Sequence, residues 1–201
     1  SDLLATSFDW NGQRLEIKEA IAEGFNANGF VNLNPKSQGL QAIKTFDFQV
    51  QAEDLNLQRL PADLPYAFNL GGLVGFNGNI AGTPQAPTIN GDLRLRYFFA
   101  GPLEFESLLT GRVSIAPKSG VNLQLAGNQD KLEVVLDPNY QPVSFLVQYQ
   151  NKTATGIRSG DELQMTVENF PINTIKSLAL SSGMVDGQKL EPWLRSEEHT
   201  S

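Results

Sequence analysis

Residues 76–97 read FNGNIAGTPQAPTINGDLRLRY, and this stretch decides the fold. It contains two strand-like runs, joined by a turn that is built from Gly82, Thr83, Pro84 and Pro87. Its second half alternates apolar with polar residues, which predicts a strand with one face in water and one face that needs cover. The apolar side holds Ile89, Gly91, Leu93, Leu95 and Tyr97, and the polar side holds Asn90, Asp92, Arg94 and Arg96. What covers the apolar side determines what the protein does.

Similar alternation recurs along the chain in short runs that Gly, Asn, Asp and Pro separate. Further strands are predicted near residues 14–19, 24–33, 46–57, 103–105, 111–115, 121–125, 132–136, 145–149 and 163–167. Strand starts about 8–12 residues apart are typical of an all-β protein. Three architectures fit: a two-sheet sandwich, a closed barrel, or one sheet that curls into a trough. The pattern alone favours the sandwich or the barrel, because these are the common ways to cover apolar faces.

Helical signal is sparse. Residues 173–180, with Pro171 before them and Gly183 after them, form the best helix candidate, and residues 60–64 are predicted as a helical turn or an extended link. Gly71, Gly72 and Gly75 lack the following Lys and Ser or Thr of a phosphate loop. We therefore expect these glycines to allow a tight bend or a bulge in the sheet.

The composition excludes several function classes. The 201 residues carry a formal net charge of −7, with 40% hydrophobic and 18% charged residues, and no basic stripe that would indicate a nucleic-acid partner. There is no cysteine, and the one histidine is His199 in the last seven residues. Once His199 is set aside with that tail, Ser-His-Asp triads and Cys-His pairs cannot be assembled, and cysteine and histidine ligands for zinc are absent. We predict no catalytic residue, no cofactor and no metal ligand, and we do not expect an enzyme.

Acidic residues offer little further chemistry. Glu104 and Glu106 lie two positions apart, so they would share one face of a strand. We predict that this face is solvated and that the two residues are not a catalytic carboxylate pair. Asp130, Asp137 and Asp161 fall in turn signals, where an Asp side chain caps backbone N–H groups. These residues are therefore expected to be structural.

The last seven residues, 195–201, read RSEEHTS. This peptide matches the translation of a common sequencing adaptor in one reading frame. We interpret them as an artefact of sequencing and exclude them from fold reasoning. Residues 1–194 are then expected to be an internal piece of a longer protein, truncated at both ends. No apolar run approaches the roughly 20 residues that a membrane-spanning helix needs.

A family resemblance rests on several ordered motifs. Residues 78–95 follow the pattern G-x-I-x-G-T-P-x-x-P-x-I-x-G-x-L-x-L, which resembles the repeat of the AsmA-like superfamily and, more narrowly, of the TamB (translocation and assembly module) family. Residues 11–33 resemble an upstream repeat unit. Residues 120–147 and 154–172 are similar to the C-terminal region of cyanobacterial members. The resemblance covers nearly all of residues 1–194.

The resemblance implies the third architecture. It predicts a single elongated, curved, mostly antiparallel sheet of taco-like shape, with an apolar concave face and at most one or two short helices. It implies a periplasmic protein, anchored to the inner membrane by a helix outside this piece, that moves phospholipid or another amphiphile to the outer membrane. An Omp85-type outer-membrane barrel is the implied protein partner.

Such a groove needs aliphatic side chains on one face of successive strands rather than catalytic groups, because each methylene kept out of water contributes about 0.8 kcal/mol. Individually, each such residue is more often plain core, so the prediction concerns the row. The structural turn is predicted at Gly82, Thr83, Pro84, Pro87 and Gly91. The lipid-groove candidates are Leu93, Leu95, Leu123, Leu125, Val134, Leu136, Phe145, Val147, Leu163 and Met165.

Three functions remain open at this point. The first is a lipid conduit. The second is a scaffold that pairs its sheet edges with strands of an outer-membrane protein or of its assembly partner. The third is a generic β-sandwich or β-solenoid binding module. They differ in what lies on the apolar side of the strands, which is lipid, a partner strand or a second sheet.

Overall fold

The computed structural model describes residues 3–59 and 70–170, and these residues form an all-β fold. Two short 3-10 turns, Gly39–Ala42 and Leu57–Arg59, interrupt the strands. The predicted strands are present, and β1 and β12 were not predicted. In β12, the small residues Ala154 and Gly156 stand where alternation would need large apolar ones. The strands are β1 (Leu3–Trp10), β2 (Arg14–Ala22), β3 (Phe25–Leu33), β4 (Ile43–Asn56), β5 (Leu70–Thr83), β6 (Ala86–Ala100), β7 (Leu103–Glu104), β8 (Leu108–Ala116), β9 (Gly120–Ala126), β10 (Lys131–Leu136), β11 (Pro142–Tyr149), β12 (Lys152–Ser159) and β13 (Glu162–Glu168).

All of these strands belong to one antiparallel sheet. Each strand pairs with the next in sequence, except that the two-residue β7 folds back on β6 and leaves β8 as the next neighbour of β6. Within the described residues, β1 and β13 each have a partner on one side, so the sheet is open. The single-sheet expectation is confirmed, and neither the sandwich nor the closed barrel describes residues 3–59 and 70–170.

Residues 76–97 belong to the longest hairpin of the sheet. β5 and β6 are 14 and 15 residues long, and Thr83 faces Ala86 across the two-residue turn Pro84–Gln85. Gly82 has a φ of 111°, a conformation that an L side chain rarely adopts. The Thr83 hydroxyl accepts a hydrogen bond from the Ala86 N–H at 3.1 Å. Gly82, Thr83, Pro84 and Pro87 therefore form or flank the turn, although Gly82, Thr83 and Pro87 also belong to the paired strands. The prediction is wrong for Gly91, which lies within β6 and pairs with Gly78, because its spacing from Pro87 continues the strand alternation.

One predicted position in this hairpin is wrong. Alternation placed Tyr97 on the apolar side of β6, but Tyr97 is 66% exposed and Phe98 is only 7% exposed. The register shifts here, because Gly71 pairs with Phe99 whereas Leu73 pairs with Arg96. Tyr97 has a φ of 53°, so one extra residue is accommodated and the alternation beyond it moves by one position. The expected bulge near the glycines of β5 is thereby confirmed, with Gly72 opposite the irregularity.

The sheet bends toward its apolar side. β6 and β11 are four interstrand steps apart, which would be about 19 Å in a flat sheet. Phe105 contacts Phe98 of β6 at a ring-centroid distance of 5.3 Å and Tyr149 of β11 at 5.7 Å. The rings of Phe98 and Tyr149 are consequently no more than about 11 Å apart, since these two separations join them. This short separation of rings on strands four steps apart is consistent with a sheet that is curved with this face inward.

The two helix candidates, residues 173–180 and residues 60–64, lie outside the described residues. The same is true of the seven-residue tail at 195–201.

Candidate functional site

All ten lipid-groove candidates lie on one face of the sheet, which we call the apolar face. The strand register establishes this, because directly paired residues on neighbouring strands point to the same side. Leu95 and Leu125 are 6% and 1% exposed, and the other eight are partly exposed. The register brings these residues into continuous rows that cross the sheet from strand to strand.

The longest of these rows crosses eleven strands without a polar residue. Its members are direct cross-strand partners, so with ten steps of about 4.8 Å the row extends about 48 Å across the sheet. We call it the apolar lane. From β2 to β13 it consists of Ala22, Phe25, Ala52, Phe76, Leu93, Gly111, Leu125, Leu132, Val147, Ala154 and Val167.

A second row lies beside the lane on the same face. On each strand its residue is two positions from the lane residue, and this row is also free of polar residues. This second lane comprises Ala20, Ala27, Val50, Gly78, Gly91, Val113, Leu123, Val134, Phe145, Gly156 and Met165. A continuous apolar strip at least two residues wide therefore crosses the sheet.

The opposite face is polar along most of the sheet. The row between the two lanes, on the other side, places Gln51, Asn77, Asp92, Arg112 and Gln124 next to one another. Ion pairs on this face, such as Arg94 with Glu53 and Arg112 with Asp92, are solvent-exposed with N–O distances of 3.7 Å, so they contribute little to stability. The sheet is thus amphipathic, with water on one face.

Glycines of the second lane make room for aromatic rings. A Cβ atom on Gly91 would come within 2.7 Å of the Phe76 ring, and one on Gly78 within 2.8 Å of the same ring. A Cβ on Gly156 would overlap the ring of Phe145. The rings therefore lie over glycine backbone on the apolar face, as in other curved sheets where an aromatic covers a strand glycine.

One end of the apolar face is covered by protein. Residues 101–107, which we call the strap, connect β6 to β8 and bring Leu103 and Phe105 onto the apolar face, where both are buried. They pack with Leu95 and Leu125, which explains why these two candidates are buried while the others are partly exposed. The whole cluster consists of Leu95, Phe98, Leu103, Phe105, Leu109 and Leu125, with Leu57, Leu70, Val74, Leu93, Ala100, Leu123, Leu132, Val147, Tyr149 and Phe170 around it.

Two carboxylates fasten the strap. Glu106 accepts hydrogen bonds from the backbone N–H groups of Asn128, Gln129 and Asp130, with the Gln129 bond at 2.8 Å. Asp130 in turn accepts from the N–H of Glu106 at 2.7 Å and from that of Gln150 at 2.8 Å. The strap is therefore tied to the β9–β10 turn and to the β11–β12 turn.

This arrangement corrects the expectation for the carboxylate pair. β7 ends at Glu104, whose side chain is exposed, and Glu106 follows as a backbone cap rather than as a second residue on one strand face. Hydrogen bonds from Gln129 and Asn128 hold the pKa of Glu106 below its usual range, so the carboxylate is ionised at neutral pH. The expectation that Asp130 caps a turn is confirmed, but its link to the strap was not predicted, because it joins residues 24 positions apart.

The opposite edge of the apolar face, which we call the open rim, is formed by the turns after β5, β8, β10 and β12. At this rim Arg158 lies on the same face of β12 as Ala154 and Gly156. Its partner on β13 is Leu163, which is also on the apolar face. Its Nη1 donates to Asp137 Oδ2 at 2.7 Å. Arg158 was not predicted, because alternation alone did not identify β12 as a strand.

Asp137 caps its own turn as well. Its Oδ1 accepts from the N–H groups of Asn139 at 2.9 Å and Gln141 at 3.1 Å, as expected for a turn aspartate. The hydrogen bond from Arg158, followed by that from the Gln141 N–H, lowers the pKa of Asp137. The turn thus holds a carboxylate that fixes the Arg158 guanidinium at the rim of the apolar face.

Comparisons with known proteins give no assignment: no family model, no curated protein and no solved structure matches this chain. Across residues 3–59 and 70–170, no helix is long and apolar enough to cross a membrane. The same residues contain no group of three or more His, Cys, Asp or Glu side chains that could hold a metal ion. The continuous apolar strip makes the apolar face the candidate functional site.

Proposed function

We propose that this chain is a segment of a periplasmic envelope-biogenesis protein whose curved sheet conducts phospholipid between the inner and outer membranes. The observation that carries the proposal is the apolar strip formed by the two lanes, which crosses eleven strands without a polar residue. The strap covers the apolar lane at Leu125, whereas Leu123 of the second lane, nearer the open rim, is partly exposed. An acyl chain of about 15 methylenes is less stable in water than in an apolar environment by about 12 kcal/mol. A continuous apolar floor removes this barrier without any catalytic group.

The motif resemblance to the TamB family supports the same proposal and supplies its setting. An anchor in the inner membrane and an Omp85-type partner in the outer membrane belong to that setting. The amphipathic sheet is compatible with this setting, because its polar face can contact an aqueous compartment while its apolar face can bind acyl chains.

Photo-crosslinking inside cells tests the conduit, with the crosslinker built into the full-length protein at Leu123 or Val147. The sequence neighbours Asn122 and Gln148 are matched controls, since they lie on the opposite face of the same strands. We expect lipid adducts at Leu123 and Val147 and none at Asn122 or Gln148. Leu95 lies beneath the strap, so we expect no lipid there either. Equal capture on both faces, or no lipid at either lane position, would refute the conduit.

A second candidate is a strand-pairing scaffold for outer-membrane protein assembly. It is favoured by the outer edges of β1 and β13, which have no partner strand within the described residues. Open edges of this kind pair with a further strand, from the same chain or from another one. A crosslinker at Gln164 or Thr166 of β13 would then capture a partner protein, and the lane positions would capture no lipid.

A further inference from the structure

Resting on the proposed function, we infer that the groove is one-sided: it holds a phospholipid with the phosphate at the open rim, against Arg158, and with the tails on the second lane and on the part of the apolar lane that the strap does not cover. The inference concerns the orientation of the ligand and the residue that recognises its headgroup. Three observations carry it.

The first observation is that the two edges of the apolar face differ. At one edge, the strap places Leu103 and Phe105 over the lane, and Glu106 and Asp130 fasten it to two neighbouring turns. The open rim has short turns instead, such as Pro84–Gln85 between β5 and β6. From β5 to β13, the turns that the structure describes at the open rim are two to five residues long, so they leave more room for a bulky polar headgroup than the strap leaves at the other edge.

The second observation is the position of charge on the apolar face. Within the described strands β2 to β13, Lys152 and Arg158 are the charged residues in phase with the lanes, and both belong to β12. Lys152 lies at the strap edge, with its Nζ 5.2 Å from the centroid of the Tyr149 ring. Arg158 lies at the open rim, with its side chain one-third exposed. A guanidinium ion at the open edge of an apolar surface complements an anion attached to an apolar tail.

The third observation is that Asp137 orients Arg158 without saturating it. A guanidinium group has five N–H donors, and the hydrogen bond that Arg158 makes within the described residues uses Nη1. The Oδ1 atom of Asp137 is occupied by two backbone N–H groups, which fixes the carboxylate in place. Asp137 is thus a positioning residue, and Arg158 retains donors in the fork geometry that suits a phosphate.

The test compares two ligands that share their acyl chains, a phospholipid and the corresponding diacylglycerol, which lacks the phosphate. Retention of each is measured by mass spectrometry on the full-length protein purified from cells and exchanged with vesicles of either lipid. For the unmodified protein we expect retention of phospholipid to exceed that of diacylglycerol. R158Q should reduce phospholipid retention about tenfold and leave diacylglycerol retention unchanged, and R158K should restore part of the difference.

Arg112→Gln is the matched control, because Arg112 is an exposed, ion-paired arginine on the polar face. It should change neither retention. The inference is overturned if R158Q leaves phospholipid retention unchanged, or if it lowers retention of both ligands equally, as a purely structural role would. If the unmodified protein retains neither ligand, the proposed conduit itself fails, and the inference fails with it. The two failures are therefore distinguishable.

Discussion

Glu106 and Asp130 cap each other's backbone: the Glu106 carboxylate accepts from the Asp130 N–H at 3.1 Å, and the Asp130 carboxylate accepts from the Glu106 N–H at 2.7 Å. This reciprocal pair joins the strap to the turn between β9 and β10, across two strands of the sheet. It lies next to Phe105, which directly precedes Glu106 and whose own N–H donates to the Phe98 carbonyl at 3.0 Å. The two acidic side chains thus help to hold the strap, and with it Phe105, over the apolar face.

Glu106→Ala should release the strap. The substitution leaves three backbone N–H groups of the β9–β10 turn without their acceptor, so we expect faster hydrogen exchange at Asn128, Gln129 and Asp130. Exchange measured by mass spectrometry on residues 101–107 and 127–130 checks this. Glu104→Ala, on the exposed neighbour, should leave exchange of both segments unchanged, and unchanged exchange in both variants would contradict the clamp.

Phe105→Ala should open a cavity between β6 and β11. Phe105 is buried and contacts both Phe98 and Tyr149, so its loss should cost about 3–5 kcal/mol of unfolding free energy. Tyr97→Ala removes an aromatic side chain that is mostly exposed, and should cost less than about 0.5 kcal/mol. Urea denaturation of both variants provides the comparison. Similar losses of unfolding free energy in the two variants would mean that Phe105 does not hold β6 and β11 together.

A charge on the lane should block transfer, whereas the same charge one residue away should not. Val134 lies on the apolar face and Val135 on the opposite face of β10. We expect Val134→Asp to abolish lipid capture at Leu123, and Val135→Asp to retain most of it. Circular dichroism must first show that both variants keep their strand content. Full capture in a folded Val134→Asp variant would argue against the lane as the path of the acyl chains.

Gly111→Ala should be strongly destabilising although alanine is small. A Cβ atom at Gly111 would overlap the backbone carbonyl oxygen of Gln124, so β8 and β9 would have to separate. We expect a loss of about 1–3 kcal/mol, from denaturant titration. Ser114→Ala, on the polar face of the same strand, should be nearly neutral. A neutral Gly111→Ala would contradict the close approach of β8 to β9 at Gly111 and Gln124.

Acid should loosen the strap and the open rim. The folded-state pKa values of Glu106 and Asp137 are both lowered, so each carboxylate contributes stability that is fully present above its ordinary pKa, 4.5 for Glu and 3.8 for Asp. That contribution is lost as the pH falls below those values through the folded-state pKa. In Glu106→Gln, the dependence of thermal stability on pH below about 4.5 should be weaker than in the unmodified chain. Identical pH profiles would contradict the assignment.

Several features of this fold could be predicted from local sequence. Alternation identified most strands, and the turn residues marked the β5–β6 hairpin, because both signals depend only on neighbouring residues. β12 escaped prediction because Ala154 and Gly156 take the places of large apolar residues there. Tyr97 was misplaced because a bulge is a relation between two strands, and the alternation within one strand cannot show it.

The sequence by itself determined that the strands are amphipathic, since a period of two puts every second side chain on the same face. Only the tertiary structure decided that eleven such strands align their apolar sides into one lane, because register is set by pairing between strands. It also decided that the strap covers Leu95 and Leu125 while Arg158 lies at the open rim. These arrangements depend on contacts between residues that are far apart in the chain, such as Glu106 with Asp130. Local sequence patterns do not show which distant residues come into contact.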